Sequence, residues 1–144
     1  MAKIKFRIAT PERVVYESEV DSVTCPTEMG EVTILPKHIP LVANLKAGEL
    51  KTIQNGQENY FSLSGGFLEV RTNNEIVILA DSAEHAHEID MARAEEARGR
   101  AKKLMAEEVR SEEEYAVTAA ALERALARIR VARRRHKDVG RTAP

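Results

Sequence analysis

The sequence predicts a β + α fold, with an N-terminal antiparallel β-sandwich at residues 1–83 followed by a C-terminal antiparallel hairpin of two helices at residues 84–144. Five of the six aromatic residues and four of the five prolines precede residue 84. The first part therefore holds most of the large core side chains and turn residues. Residues 84–144 carry 14 alanines, the residue type with the highest helix propensity.

The first strand is predicted from an alternation of period two, because Ile4, Phe6 and Ile8 alternate with basic residues. Six more segments rich in β-branched or aromatic residues are predicted strands: residues 20–25, 31–35, 49–53, 59–63, 67–71 and 75–80. Asn55-Gly56 suits a two-residue hairpin turn between two of them, and Asn73-Asn74 is a weaker match. Short strands at this spacing indicate a sandwich or barrel.

Small and apolar residues recur every three or four positions after residue 80, which predicts two amphipathic helices. The repeats fall at positions 94, 97, 101 and 104, and at positions 115, 118, 122, 125 and 129. Asp90 is the predicted N-cap of the first helix, with Ile89 and Ala94 at the hydrophobic-staple positions beside it.

The second helix is predicted to begin at a capping box made by Ser111 and Glu114, after a break near Val109 and Arg110. The faces that the two helices would share are mostly alanine, so their contact buries little apolar area. We therefore expect a hairpin of low local stability that can open while the sandwich stays folded.

Overall charge and cysteine content favour a cytoplasmic protein. The chain has 22 basic and 23 acidic residues, a balance that argues against a nucleic-acid or membrane-surface binder. Cys25 is the single cysteine, so no internal disulfide is expected, and no signal peptide is predicted. The longest apolar run is residues 76–80, so we expect contact with a membrane only through a partner.

No catalytic residue is predicted. Ser64-Gly65-Gly66 is not followed by the lysine and hydroxyl residue of a phosphate-binding loop, so a strand-entry turn is the better interpretation. Cys25 is followed by Pro26 and has no neighbour in sequence that would activate a thiolate.

No metal site is predicted either, although five candidate ligands are closely spaced between residues 84 and 90. Their spacing matches no metal-site signature, and a solvated linker is favoured. These residues are Glu84, His85, His87, Glu88 and Asp90.

Arginines dominate the end of the second helix, at residues 124–135. This run suits a solvated helix end, an acidic protein partner or, without aromatic residues to stack on bases, a nucleic acid. In a hairpin, Arg93 and Arg100 would approach Arg124 and Arg128, and a bound phosphate chain would relieve the repulsion between them.

Two longer motifs resemble the signatures of a known family, the epsilon subunit of bacterial F-type ATP synthases. The first is Gly-Glu-Val-Thr-Ile-Leu-Pro-Lys-His-Ile-Pro-Leu at residues 30–41, and the second is formed by residues 64–70 and 77–80. Thr33 stands where the family usually has glycine. The resemblance covers nearly the whole chain.

The resemblance implies a non-catalytic rotor subunit that needs no cofactor and couples proton-driven rotation to ATP synthesis. The sandwich would sit at the foot of the central stalk, against the gamma subunit and the ring of c subunits. The hairpin would extend into the catalytic head of alpha and beta subunits and inhibit ATP hydrolysis. The subunit would be peripheral, at the cytoplasmic face of the bacterial inner membrane.

The resemblance also implies functional residues. ATP would be a regulatory ligand of the folded hairpin, with Arg93, Arg124 and Arg128 facing its phosphates; the positions matching that site are Glu84, Ile89, Asp90, Arg93, Ala94, Arg100, Arg124 and Arg128. Predicted inhibitory contacts are Arg128, Arg130, Arg133 and Arg134. Glu31 and His38 are predicted to contact the stalk or the ring.

Two other classes of protein remain open. One is a free-standing β-sandwich that binds a ligand and oligomerises through its helices. The other is a nucleic-acid-binding adaptor. Copurification with gamma-type and catalytic subunits separates the rotor subunit from the first, and salt-sensitive binding to nucleic acid would reveal the second.

Overall fold

The computed structural model describes residues 2–107 and 111–141, with side chains described as far as residue 134 in the last helix. Ten strands precede a short 3₁₀ helix and two α-helices. The strands are β1 Ile4–Ala9, β2 Val14–Val20, β3 Ser22–Thr27, β4 Gly30–Ile34, β5 Leu41–Leu45, β6 Gly48–Gln54, β7 Gln57–Leu63, β8 Gly66–Arg71, β9 Glu75–Ala80 and β10 Ala83–His85. The helices are the 3₁₀ helix Ala86–Glu88, α1 Met91–Ala106 and α2 Glu112–Arg141.

The strands form one sheet in the order β10-β7-β6-β3-β5-β8-β9-β1-β2, and β4 pairs with β3 beside this path. β2, at one end of the order, lies against β6 and β10 near the other end, so the sheet closes into a sandwich. The predicted antiparallel sandwich is confirmed with one exception. β1 pairs in parallel with β9, because the first strand returns to the sheet beside a strand from its far end.

The core lies inside this closed sheet. Ile4, Phe6 and Ile8 are almost fully buried, as their alternation predicts. Tyr16 joins the two sides, with its ring centroid 6.1 Å from that of Phe6 and 4.9 Å from that of Phe61.

Four strand assignments differ from the sequence prediction. The predicted strand at residues 20–25 is two strands, because the chain turns at Asp21 between β2 and β3. β2 and β5 were not predicted; β2 has a mostly half-exposed pattern, and β5 is a short strand that begins just after Pro40. β10 continues the sheet to His85, past the predicted boundary at residue 83, because it pairs with β7.

Both predicted asparagine turns are present. Asn55 and Gly56 have positive φ angles of 50° and 80°, and Asn73 and Asn74 have 67° and 57°. Asn55-Gly56 is the whole connection between β6 and β7, and positive φ at both residues is what a type I′ turn requires. Asn73 and Asn74 are the last two residues of a three-residue connection between β8 and β9.

Both helix N-caps are formed as predicted. The Arg93 N–H donates to the Asp90 carboxylate at 3.2 Å, and the Glu114 N–H donates to the Ser111 hydroxyl at 3.2 Å. The break predicted near Val109 and Arg110 lies outside the described residues. So do residues 142–144 and the side chains of the basic tail from residue 135.

The hairpin is folded onto the sandwich through its second helix. α2 packs against β6, β7 and the 3₁₀ helix, whereas α1 packs mainly against α2. The buried residues of α1 are Ala94 and Ala101, which fits the predicted alanine seam. A second small core joins the hairpin to the sheet, formed by Tyr60, Ala86, Ile89, Val131 and Ala132.

Candidate functional site

A cavity of about 360 Å³ lies where the ends of β7 and β10 meet both helices. Glu84 and Arg100 line it together with Arg124 and Arg128, so four of the eight predicted ATP-site residues meet there. The cavity is also polar on the sheet side, where it is lined by Ser62, Ser64 and Ser82.

Arg128 and Glu84 form an ion pair inside this cavity. Arg128 Nη2 donates to Glu84 Oε2 at 3.3 Å. Nε lies 2.7 Å from Oε1, although its N–H is not aligned for a hydrogen bond. The exposed fractions of the two side chains are 25% and 32%, so the pair is partly shielded from water. Glu84 therefore compensates one of the clustered cations, while Arg100 and Arg124 are exposed.

The other four predicted ATP-site residues lie at the start of α1 and do not line this cavity. Ile89 and Ala94 are buried in packing contacts, and Asp90 caps the helix. Arg93 has an 81% exposed side chain whose Nε lies 3.7 Å from Asp90 Oδ2. Arg93 pairs with Asp90 and is not among the residues that line the cavity of Arg124 and Arg128. Its predicted place beside the phosphates of ATP stays a prediction.

Of the serines in the cavity, only Ser64 was considered from the sequence, as part of a strand-entry turn, and Ser62 and Ser82 were missed. The Ser82 N–H donates to the Ser64 hydroxyl at 2.8 Å, and the two hydroxyl oxygens are also 2.8 Å apart. Ser64 precedes the strand-entry turn predicted at Gly65-Gly66. Gly66 has φ of 141°, and a Cβ there would lie 2.1 Å from the Leu79 carbonyl oxygen, so this turn requires glycine.

Two of the four predicted inhibitory arginines are bound to the sandwich in this conformation. Arg134 donates to Glu49 from Nε at 3.2 Å and from Nη2 at 3.1 Å, and its guanidinium lies 5.0 Å from the centre of the Tyr60 ring. The Glu49 carboxylate raises the pKa of Arg134. Arg128 pairs with Glu84, whereas Arg130 and Arg133 are exposed.

Sequence reasoning missed that Arg134 contacts Tyr60 and Glu49. No local pattern links residues so far apart in sequence, and Glu49 and Arg134 are separated by 85 positions. Burial, with the hydrogen bond that Tyr60 donates to Glu58, raises the pKa of Tyr60 to about 12. The phenol is therefore neutral at physiological pH and stays an uncharged partner for Arg134.

The predicted stalk or ring residues lie on β4 and in the loop that follows it. Glu31 is exposed on β4, and His38 follows in the exposed loop before β5, where its Nδ1 lies 2.6 Å from the Ile39 carbonyl oxygen. An apolar pair was missed from the sequence. Phe67 and Leu79 are directly opposite on β8 and β9, and their side chains are 57% and 53% exposed.

Cys25 has none of the properties of a nucleophile. It is fully buried in the sandwich core, and burial raises the pKa of its thiol to about 12. In the described part of the chain, no three His, Cys, Asp or Glu side chains form a group that could hold a metal ion.

Family comparisons agree with this architecture. The model of the ATP synthase Delta/Epsilon chain beta-sandwich domain matches residues 3–86, and that of the Delta/Epsilon chain long alpha-helix domain matches residues 87–133. Together they define the class as a non-catalytic subunit built from a sandwich and a helical domain. The chain belongs to the epsilon-chain family of ATP synthase.

Individual relatives span nearly the full length of the chain. An ATP synthase epsilon chain of Dehalococcoides mccartyi is 50% identical over 137 residues, which are 95% of this chain and 97% of the relative. The ATP synthase epsilon chain of Herpetosiphon aurantiacus is 46% identical over 132 residues, which are 92% of this chain and 96% of the relative. The fold is similar to a chain in the Euglena gracilis mitochondrial ATP synthase, with a TM-score of 0.74 and 24% identity over 85% of this chain and 77% of that one.

Proposed function

We propose that this chain is the central-stalk rotor subunit of a proton-translocating F-type ATP synthase, and that its hairpin inhibits ATP hydrolysis when it leaves the sandwich. The observation that supports this most directly is how the hairpin is attached. A small core and the ion pairs of Arg128 and Arg134 hold α2, while α1 buries only alanines. Such an attachment can open without unfolding the sandwich.

The same arginines would have different partners in the two states. In the folded state Arg128 and Arg134 are bound to Glu84 and Glu49, and Arg130 and Arg133 are exposed. Extension would release the first two, so that all four could face acidic surfaces of the alpha and beta subunits. Glu84 and Glu49 thus favour the non-inhibitory state by competing for these arginines.

Regulatory ATP would bind in the cavity beside Glu84. Its volume of about 360 Å³ lies within the range of small-molecule sites, and Arg100 and Arg124 supply charged donors for phosphates. In this proposal Asp90 acts as the N-cap of α1, which its hydrogen bond to the Arg93 N–H supports, and Arg100 and Arg124 are the main phosphate donors because they line the cavity. ATP is proposed as a regulatory ligand; no cofactor is required for a rotor subunit.

The sandwich would bind its rotor partners through the outer surface of β5, β8 and β9. Exposed Val42, Phe67 and Leu79 lie on these neighbouring strands and suit a hydrophobic contact with a gamma subunit. Glu31 and His38 would face the c-ring. We place the protein at the cytoplasmic face of the bacterial inner membrane, peripherally; among the described residues, no helix is long and apolar enough to cross a bilayer.

ATP hydrolysis by the reconstituted complex tests the inhibitory role through two opposite effects. Glu49→Gln removes a partner used only in the folded state, so hydrolysis should fall. Arg130→Gln with Arg133→Gln removes charges that are exposed in the folded state, so hydrolysis should rise. Glu12→Gln, in the exposed loop before β2, is the matched control. If both sets of changes left hydrolysis at the control level, the inhibitory role would be refuted.

A further inference from the structure

A second cavity lies along the seam between α1 and α2, on the side opposite the cavity that contains Glu84. Its volume is about 440 Å³. Residues two positions apart on an α-helix point about 200° apart, which places Arg98 and Arg100 on opposite sides of α1, and Arg128 and Arg130 on opposite sides of α2. The cavity, here called the arginine groove, is lined by Arg98, Leu126, Ile129, Arg130, Arg133 and Arg134.

Most arginines of the arginine groove have no directly bound acid, although Arg130 and Arg134 also line a neighbouring cavity that contains Glu31, Glu49 and Glu123. Four of its six lining residues are arginines, and none is a carboxylate. Arg134 is bound to Glu49. Within the described residues, Arg98, Arg130 and Arg133 have no hydrogen-bonded or ion-paired acid. The first cavity differs, because Glu84 there neutralises Arg128.

We propose that the arginine groove binds a small phosphate-bearing anion when the hairpin is folded. Guanidinium groups bind phosphate oxygens through paired N–H donors, and three such groups without acidic partners converge here from two helices. Leu126 and Ile129 supply an apolar wall beside the guanidinium groups. The anion could be free pyrophosphate or the phosphate chain of a nucleotide.

Bound anion would connect the two helices of the hairpin. Arg98 lies on α1, whereas Arg130 and Arg133 lie on α2, so one anion would join elements that otherwise meet through an alanine seam. The folded hairpin would therefore gain stability in proportion to anion occupancy. This site is independent of the ATP cavity proposed above, because the two share no lining residue.

Calorimetric titration of the full-length chain with pyrophosphate tests the site. Arg98→Gln and Arg130→Gln should each weaken binding about tenfold or more, as expected for loss of a charged hydrogen bond to phosphate. Lys103→Gln is the matched control, since it removes one positive charge from the exposed surface of α1 without lining the groove, and it should change affinity less than about twofold. Circular dichroism would establish that each variant keeps its helices.

A second comparison locates the anion. The pair Arg100→Gln and Arg124→Gln changes only the cavity beside Glu84, so pyrophosphate binding should persist in that variant. Titration with ATP then identifies the source: equal losses for ATP and pyrophosphate in Arg98→Gln point to a nucleotide, and a loss for pyrophosphate alone points to a free anion. Absence of binding at millimolar pyrophosphate, equal weakening by Lys103→Gln, or a loss confined to the Arg100 and Arg124 variant would each overturn the proposal.

Discussion

Arg134 of α2 donates two hydrogen bonds to Glu49 of β6, which ties the C-terminal helix to the start of a sandwich strand. Side-chain exposures of 39% and 17% show that this pair is only partly shielded from solvent. A charge pair of this kind contributes modestly to stability, so it can hold a helix without fixing it permanently. The contact is suited to a reversible attachment.

We predict that Glu49→Gln loosens α2 without unfolding the sandwich. Loss of the carboxylate removes the charge of a two-point contact, and we expect the opening free energy of α2 to fall by about 0.5 to 1.5 kcal/mol. Hydrogen exchange should accelerate across α2 and stay unchanged in β1 and β9. Equal exchange in Glu49→Gln and the exposed control Glu12→Gln would show that the pair does not hold the helix.

ATP binding should depend on the arginines that line the first cavity. Arg124→Ala should weaken ATP binding about ten- to a hundredfold, because each charged hydrogen bond to a phosphate contributes about 1.5 to 3 kcal/mol. Arg93→Ala should have a smaller effect, since Arg93 lies outside that cavity. Calorimetry on both variants measures this difference, and a larger loss in Arg93→Ala would mean that the hairpin rearranges when ATP binds.

Replacing Asp90 separates a capping role from direct contact with ATP. Its carboxylate caps α1, so Asp90→Ala should lower helix stability by about 1 kcal/mol with or without ATP. Thermal unfolding followed by circular dichroism, with and without ATP, measures this. A loss that appears only with ATP present would instead indicate direct contact with the nucleotide.

Local signals in the sequence were sufficient to predict much of the fold. The alternation at Ile4, Phe6 and Ile8, the Asn55-Gly56 turn and the Asp90 cap each depend on a few neighbouring residues. The parallel pairing of β1 with β9 could not be predicted in this way, because it joins segments about 70 residues apart. β10 is three residues long, too short for a periodic pattern.

Sequence reasoning predicted which arginines of the candidate site lie together, but it did not predict their acidic partners. Arginine clustering and the family resemblance brought Arg100, Arg124 and Arg128 together, and the structure does the same. The pairing of Arg128 with Glu84 was not predicted, because 44 residues separate them and charge patterns do not specify partners at that distance. Glu49 was missed for the same reason.

Acidification should loosen β10 through His85. Burial, followed by the neighbouring His87, lowers the pKa of His85, whose ring contacts the edge of Phe61 at 4.8 Å between centroids. Protonation of His85 therefore favours the state in which β10 is unfolded. Neutral His85 stabilises folded β10 fully at a pH above its pKa in the unfolded chain, which is about 6.5. This stability is lost as pH falls through the lower pKa that His85 has in the folded chain.

Hydrogen exchange of β10 measured between pH 7 and 5.5 checks this expectation after correction for intrinsic exchange rates. His85→Asn retains an acceptor for the His87 N–H but cannot titrate in this range, so it should remove most of the pH dependence. His87 and Glu88, which face His85, are unchanged in this variant. An unchanged pH profile in His85→Asn would show that His85 does not cause the pH dependence.

Truncation should show where the independently folding sandwich ends. A chain of residues 1–83 has lost most of β10, whereas a chain of residues 1–85 keeps its pairing with β7 and the contact between His85 and Phe61. Both should fold, because the main core of the sandwich ends at Ala83. The longer chain should be more stable by about 1 to 3 kcal/mol, since it retains ladder hydrogen bonds and the packing of one ring.

Urea unfolding gives the difference in stability between the two chains, and coexpression with a gamma-type subunit tests whether each chain still joins the stalk. Equal stabilities would mean that β10 contributes nothing to the sandwich, and failure of both chains to fold would show that the helices are part of one cooperative unit with the sheet.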